Sequence, residues 1–238
     1  MELTSEKTIQ LEEIARQLRA DSLRLIHRRG AGHPGGALSA AEIIAVLYFH
    51  TLRIDPRQPD WEQRDRFTLS KGHASALLYA ALARRGSSDF AQLDNWGEVE
   101  CPHQGHPDRL KTPGVEMTSG ILGHGVAIGA GLALAARLKE TGSRTFVLLG
   151  DGECQAGIVW EGAVTAAKYR LASLTAFVDY NDVQLDGSVH EVMPLEPFRD
   201  KWEACGWHVL EINGHSVRQV ADAIEMAKEI HDRPSMIL

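Results

Sequence analysis

The sequence predicts an α/β domain in which a parallel sheet carries helices on both faces. In the second half of the chain, short apolar runs alternate with segments of helical period. The segments between them are long enough for right-handed crossovers, which join parallel strands. No internal repeat, low-complexity tract or linker interrupts the 238 residues, so one domain is expected.

The elements follow in order. Leu11, Ile14, Leu18 and Leu25 fall at helical spacing with charges between them, which predicts an amphipathic helix ending near Gly30. Ser39, with Glu42 three residues on, has the form of a capping box opening a helix through Ile43, Ile44, Leu47 and Phe49. A third helix is expected from about His73 to Arg85, stopped by Gly86. Residues 95–120 hold Gly, Pro, His and Cys without a sustained period, and irregular segments of that length usually serve function. Residues 126–138 predict a tightly packed apolar helix, and 145–149 a buried strand ending at Gly150. A helix over 157–169, a strand at 174–179, a short helix at 198–205 and a strand at 207–212 come next. Ser216, with Gln219 three residues later, caps a last helix reaching about Ile230. Residues 236–238 begin one more strand; because the sequence breaks off there, a natural C-terminus further on is expected.

Composition narrows the function. Asp and Glu outnumber Lys and Arg by 32 to 25, and no basic run is present, which argues against nucleic acid or an anionic membrane as the main partner. The longest nearly apolar stretch, 125–136, is shorter than the roughly 20 residues that span a bilayer. The first 25 residues mix charges throughout, unlike a secretory leader. Three widely spaced cysteines, Cys101, Cys154 and Cys205, suit a reducing compartment, so the cytoplasm is the expected location.

Ligands of open parallel sheets bind beyond the C-terminal ends of the strands. Two such ends carry oxygen donors. Gly150-Asp151-Gly152 follows the strand at 145–149, with glycines that let the backbone approach a phosphate and one carboxylate beside them. Asn181 follows the strand at 174–179. About 28 residues separate Gly152 from Asn181, room for one helix and one strand, so the two loops should be neighbours. Asp and Asn oxygens, a backbone carbonyl and phosphate oxygens suit Mg²⁺, or Ca²⁺ with looser geometry. Histidine placement adds a second signal. Five of the 11 histidines (His33, His73, His106, His124 and His215) directly follow glycine, where chance gives about one. Imidazoles on such loops suit hydrogen bonding to sugar or phosphate oxygens and proton transfer near neutral pH.

These loops resemble the thiamine diphosphate motif, and the chain as a whole resembles the N-terminal, diphosphate-binding part of transketolase. The matching segments are Gly32-His33-Pro34-Gly35-Gly36, Ser70-Lys71-Gly72-His73-Ala74-Ser75, Gly105-His106-Pro107, Gly120-Ile121-Leu122-Gly123, Gly150-Asp151-Gly152, Asp179-Tyr180-Asn181 and Asn213-Gly214-His215. They occur in the family's order over nearly the whole chain. The resemblance implies the thiamine diphosphate-binding (PP-type) fold, with thiamine diphosphate and Mg²⁺ or Ca²⁺ as cofactors. It implies that Asp151, Asn181 and the Val183 carbonyl hold the metal and that Gly152 contacts the diphosphate, with His73 near it. Gly120, Ile121 and Leu122 would line the thiazolium and aminopyrimidine, with Asn181 and His215 also on the cofactor. His33, His106 and His215 would face the sugar and move protons while a two-carbon ketol unit passes from a ketose phosphate to an aldose or aldose phosphate.

Three positions depart from the family pattern. Ala156 stands where transketolases often carry Glu, Ile121 replaces the more usual Pro or Ser, and His124 replaces the more usual Gln. The family's pyrimidine-binding and C-terminal domains have no counterpart in these 238 residues, which implies a split enzyme that works only with a separate partner subunit. The apolar helix at 126–138 and the glycines before it suit self-association to a dimer, hence an α2β2 heterotetramer. The nearest enzyme alternatives are fragments of deoxyxylulose-phosphate synthase or of the α chain of a 2-oxo-acid dehydrogenase. Gly32-His33-Pro34 and the 70–75 segment fit transketolase better than either, whereas Ala156 suits the synthase. A non-catalytic cofactor-binding module is the alternative of a different class.

Overall fold

The structure, a computed structural model, describes residues 3–185 and 187–238. The chain falls into two compact units whose segments alternate along the sequence. The first takes Met1–Arg64, Gly72–Gly120 and Asn213–Asp222, and the second Asp65–Lys71, Ile121–Ile212 and Ala223–Leu238.

The first unit is helical. Helix α1 spans Ser5–Arg29: Thr4 caps it by accepting from the Lys7 amide, and Gly30 ends it at φ 70°, a left-handed conformation that costs glycine little. Of the predicted stripe, Leu11, Leu18 and Leu25 are buried and Ile14 is partly exposed, while Ala15 takes a buried place beside it. Asp21, on the same helix and almost fully buried, is held by Arg24 and Arg84. Helices α2 (Pro34–Ser39) and α3 (Ala41–Val46) follow, and a π-helical turn continues through Leu47–Thr51. The capping box expected at Ser39 is not formed. Pro34 instead opens a helix, Ser39 lies at its end, and its hydroxyl bonds back to the Gly36 carbonyl. After a 3₁₀ turn at Gly72–Ala74, α4 runs over Ser75–Arg85 and is buried along most of its length. Gly86 stops it as expected. Apart from the short helix α5 (Phe90–Leu93), residues 90–120 are turns, bends and backbone without regular structure.

The second unit contains the sheet. Strands β1 (Arg66–Leu69), β2 (Thr145–Gly150), β3 (Leu174–Asp179), β6 (His208–Leu210) and β7 (Ser235–Ile237) pair in the order β1-β2-β3-β7-β6, every pair parallel. β4 (Val183–Gln184) and β5 (Gly187–Ser188) form a separate antiparallel ladder. Strand β1 is not among the strands the sequence predicts. The central β2 and β3 are buried throughout, the pattern of a parallel sheet covered on both faces. Helices α6 (Gly125–Leu138), α7 (Gly157–Lys168), α8 (Val189–Val192) and α9 (Phe198–Ala204) lie between the strands in sequence. α10 (Val217–Lys228) precedes β7, with the Gln219 amide donating to Ser216 Oγ as the expected cap. Val147, Leu149, Ala176 and Val178 alternate onto one face and share a core with Val126, Ala130, Val159, Ala163, Trp202 and Trp207. The Trp207 indole N–H is satisfied by the Ala163 carbonyl. The α/β parallel-sheet class expected from the sequence is the class observed.

Candidate functional site

In the second unit, sheet register decides which loops meet. Gly150 pairs with Asp179, so β2 and β3 end level and the loops carrying Asp151 and Asn181 leave side by side. The Asp151 carboxylate is 2% exposed. Its Oδ1 accepts from the Gly152 amide at 2.8 Å and its Oδ2 from the Asp182 amide at 2.7 Å, which ties the two loops together. Burial raises its pKa despite those two amides. Asn181 donates through Nδ2 to Asp179 Oδ2 at 3.2 Å, and its Oδ1 accepts from the Val183 amide at 3.0 Å. Both assignments agree on which end of the amide is oxygen. Asp151, Gly152, Asn181 and Val183 are thus brought together as the sequence implies.

Two buried groups that sequence reasoning missed hold this arrangement. Lys71, 1% exposed at the end of β1, donates its ammonium to Asp179 Oδ2. Glu153, buried just past Asp151, accepts from the Ser70 hydroxyl, from the Gly123 amide at 2.6 Å and from the Gly150 amide at 3.0 Å. Its pKa is raised by burial and held back by those donors. Ser70 Oγ in turn accepts from the Gly125 amide at 3.0 Å. One carboxylate therefore fixes the ends of β1 and β2 and the turn before α6. Gly123 sits at φ 91° with the Ala156 methyl 2.9 Å from where its Cβ would be, so the departure at Ala156 leaves a small side chain packed on that turn. Ile121 (74% exposed) and Leu122 stand on the same turn with their side chains open, and His124 Nδ1 lies 3.3 Å from the Leu122 carbonyl.

In the first unit, the Gly-flanked histidines assemble. The His33 and His73 rings lie 5.3 Å apart. Gly120, at φ 132°, passes so close to His106 that a Cβ would be 3.3 Å from the ring. The His106 pKa is lowered by burial first and by the charges of His33 and Arg29 next. His215 Nδ1 lies 3.3 Å from Glu42 Oε2, and Glu42 takes a two-point ion pair from Arg19. Gly72 leaves no room for a side chain against Ser119 and the Gly120 amide. The Ser119 hydroxyl there is buried and has no hydrogen-bond partner among the described residues.

The donor chemistry fits a bound diphosphate and a hard cation. Asp151 and the Asn181 amide oxygen, with a peptide carbonyl of the same loop, would give an all-oxygen set with a single carboxylate, suited to Mg²⁺ or Ca²⁺ when phosphate supplies the remaining oxygens. Among the described residues no three His, Cys, Asp or Glu side chains cluster as a ligand set. Within the first unit, the orphaned Ser119 hydroxyl beside Gly72 is a group that a hydrogen-bonding ligand would satisfy.

Residues 10–238 match the family described as transketolase, thiamine diphosphate binding domain. The chain belongs to the transketolase family. It is 43% identical over 234 residues to the 6-deoxy-6-sulfo-D-fructose transketolase subunit SqwG of Clostridium sp. (strain MSTE9), covering 98% of this chain and 85% of that one. It is 37% identical to an apulose-4-phosphate transketolase subunit from Phocaeicola vulgatus, covering 91% of this chain and 76% of the relative. The crystal structure of Campylobacter jejuni transketolase superposes with a TM-score of 0.89 at 36% identity over 95% of this chain. This chain spans only 37% of that transketolase, whereas it spans most of the two subunit relatives. Among its described residues no helix is long and apolar enough to cross a membrane, and the three cysteines are free thiols.

Proposed function

We propose that this transketolase-family chain is the thiamine diphosphate- and metal-binding subunit of a split enzyme that moves a two-carbon ketol unit from a ketose phosphate to an aldose or aldose phosphate. The observation that carries the reading is the meeting of Asp151, Asn181 and Val183 at the level ends of β2 and β3. Thiamine diphosphate, when bound, supplies the carbon nucleophile that holds the two-carbon unit. We assign Asp151, Asn181 and the Val183 carbonyl to Mg²⁺ or Ca²⁺, and Gly152, Gly120, Ile121, Leu122, His73 and His215 to the cofactor. Burial of the Asp151 carboxylate supports this, because a divalent cation offsets the cost of keeping that charge out of water.

His33, His106 and His215 are assigned to the sugar. His106, with its pKa lowered, stays neutral at pH 7 and can take a proton from a hydroxyl. Glu42 orients His215 through Nδ1, which leaves Nε2 for substrate. On this reading residues 1–238 serve together as the diphosphate-binding domain, and the pyrimidine-binding and C-terminal domains come from a separate subunit. Two copies of each then assemble as α2β2, with the open face of α6 as the self-association surface. The free thiols fit a cytoplasmic enzyme of carbohydrate metabolism.

The test is reconstitution. Titrating the purified chain with a pyrimidine-binding transketolase subunit, in the presence of thiamine diphosphate and Mg²⁺, should bring ketol transfer from zero to a plateau. Full turnover by the 238-residue chain alone would refute the split-enzyme reading.

A further inference from the structure

Gln155 and Gln184 form a closed amide pair within the second unit, on the two loops that carry the candidate metal donors. Gln155 Nε2 donates to Gln184 Oε1 at 2.6 Å, and Gln184 Nε2 donates back to Gln155 Oε1 at 2.8 Å. The same Gln155 nitrogen donates to the Met193 carbonyl at 3.0 Å. A carbonyl only accepts, so Met193 decides which end of the Gln155 amide is nitrogen, and Gln155 decides the same for Gln184.

The pair joins two segments at a defined place. Gln155 ends the 3₁₀ turn Gly152–Gln155, which begins one residue after Asp151. Gln184 follows Val183 on β4 and pairs with Gly187. Its stem lies across Gly152: a Cβ there would stand 3.1 Å from Gln184 Cγ, so glycine at 152 is what lets the glutamine lie on the turn. Asp182 stands at φ 55°, a conformation that a residue other than glycine keeps where its surroundings enforce it. The Asp182 amide is tied to Asp151 Oδ2, and Gln184 is tied to Gln155. Val183 is therefore clamped on both sides to the turn that follows β2.

We propose that Gln155 is a positioning residue for the cation and the diphosphate. Through Gln184 and the Met193 carbonyl it holds the Asn181–Val183 segment against the Asp151 turn, so that one cation can draw donors from both loops. This rests on the thiamine diphosphate and metal reading above. Without the clasp, ordering that segment becomes a cost of binding, so its loss is felt in cofactor affinity and not in the rate once cofactor is bound.

The test uses the chain assembled with its partner subunit, with variants Gln155→Met, Gln184→Met and the double variant, which keep side-chain length and remove the amides. Thiamine diphosphate is titrated calorimetrically in saturating Mg²⁺, which needs no turnover. Gln155→Met should weaken binding about tenfold and Gln184→Met roughly threefold or more. For both, kcat at saturating cofactor should stay within about twofold, and the cofactor-free Tm should fall by no more than about 4 °C. Because the two amides act as one unit, the double variant should bind no more weakly than Gln155→Met alone. Wild-type affinity in either single variant, or a double variant whose loss is the product of the single losses, would overturn the assignment. If Gln155→Met lowers Tm further, Gln184→Met decides: weaker binding with Tm inside that limit supports the clasp, and any other result overturns it. Binding that the variants weaken supports the clasp even if ketol transfer is absent, which would sink the reaction alone. No binding by the wild-type assembly would overturn the cofactor reading and the clasp with it.

Discussion

His215 Nδ1 and Glu42 Oε2 lie 3.3 Å apart although 173 positions separate them in sequence. Arg19 completes the cluster, with its guanidinium nitrogens 2.5 Å from both Glu42 oxygens. Glu42 is 7% exposed, so its charge depends on these partners. Glu42→Gln should cost about 1–3 kcal/mol by leaving Arg19 without its carboxylate. For a chain of this size that is a fall in Tm of roughly 2–12 °C. An unchanged Tm would show that the cluster contributes nothing to the fold.

Replacing His33, His106 or His215 by Ala should separate turnover from stability. None of the three lies in a hydrophobic core, so Tm should stay within about 2 °C of wild type. Turnover of the assembled enzyme should drop roughly 10²-fold or more where proton transfer is lost. A variant with normal kinetics removes that histidine from the reaction.

Asp151→Ala should abolish metal-dependent cofactor binding. Ligand at about 100 times its Kd stabilises the native state by about 2.7 kcal/mol. Thiamine diphosphate with Mg²⁺ should therefore raise the wild-type Tm by roughly 5–10 °C. The variant should show no such rise. An equal shift in both proteins would take Asp151 off the cation.

Lys71→Met should be the most damaging of these substitutions to the fold. It removes the buried cation paired with the Asp179 carboxylate, a class of change that costs about 3–5 kcal/mol. Thermal unfolding should fall by roughly 6–20 °C. A fall of only a degree or two would mean that the pair is worth little.

His103 sets a pH dependence. It is buried against Ser88 Oγ at 3.0 Å, and burial lowers its pKa below the ordinary 6.5. The unfolded chain therefore binds a proton at higher pH than the folded one does. Stability is full above about pH 6.5 and falls as the pH drops through the unfolded value towards the folded one. His103→Gln should flatten that part of the Tm profile between pH 7 and 5. A variant profile parallel to wild type would place the acid sensitivity elsewhere.

Much of this was legible in the residues themselves. Gly30 and Gly86 end their helices where the sequence places them, and the strand at 174–179 has the expected bounds. The Asp151–Asn181 neighbourhood follows from two strand ends in register. Strand β1 escaped because Arg66–Leu69 is four residues long and passes into Ser70-Lys71 with no turn signal before the next helix. The Ser39 box failed because Pro34 supplied a competing helix start five residues earlier. Lys71 and Glu153 read as ordinary surface charges in a linear string. Only the pairing of β1 with β2 and of β2 with β3 shows that one faces Asp179 and the other three donors on converging loops.

The seat of Arg29 constrains divergence. Its guanidinium stacks 4.7 Å over the centre of the Trp96 ring. Gly97 and Gly105 leave no volume for a Cβ while the guanidinium lies against them, so neither glycine can gain a side chain until position 29 changes. Among related sequences, any side chain at 97 or 105 should accompany a residue at 29 that is short or turned away from Trp96. An arginine at 29 should accompany glycine at both. Such a covarying triplet would show, from sequence alone, which relatives build the loops at 97 and 105 on the same stacked pair.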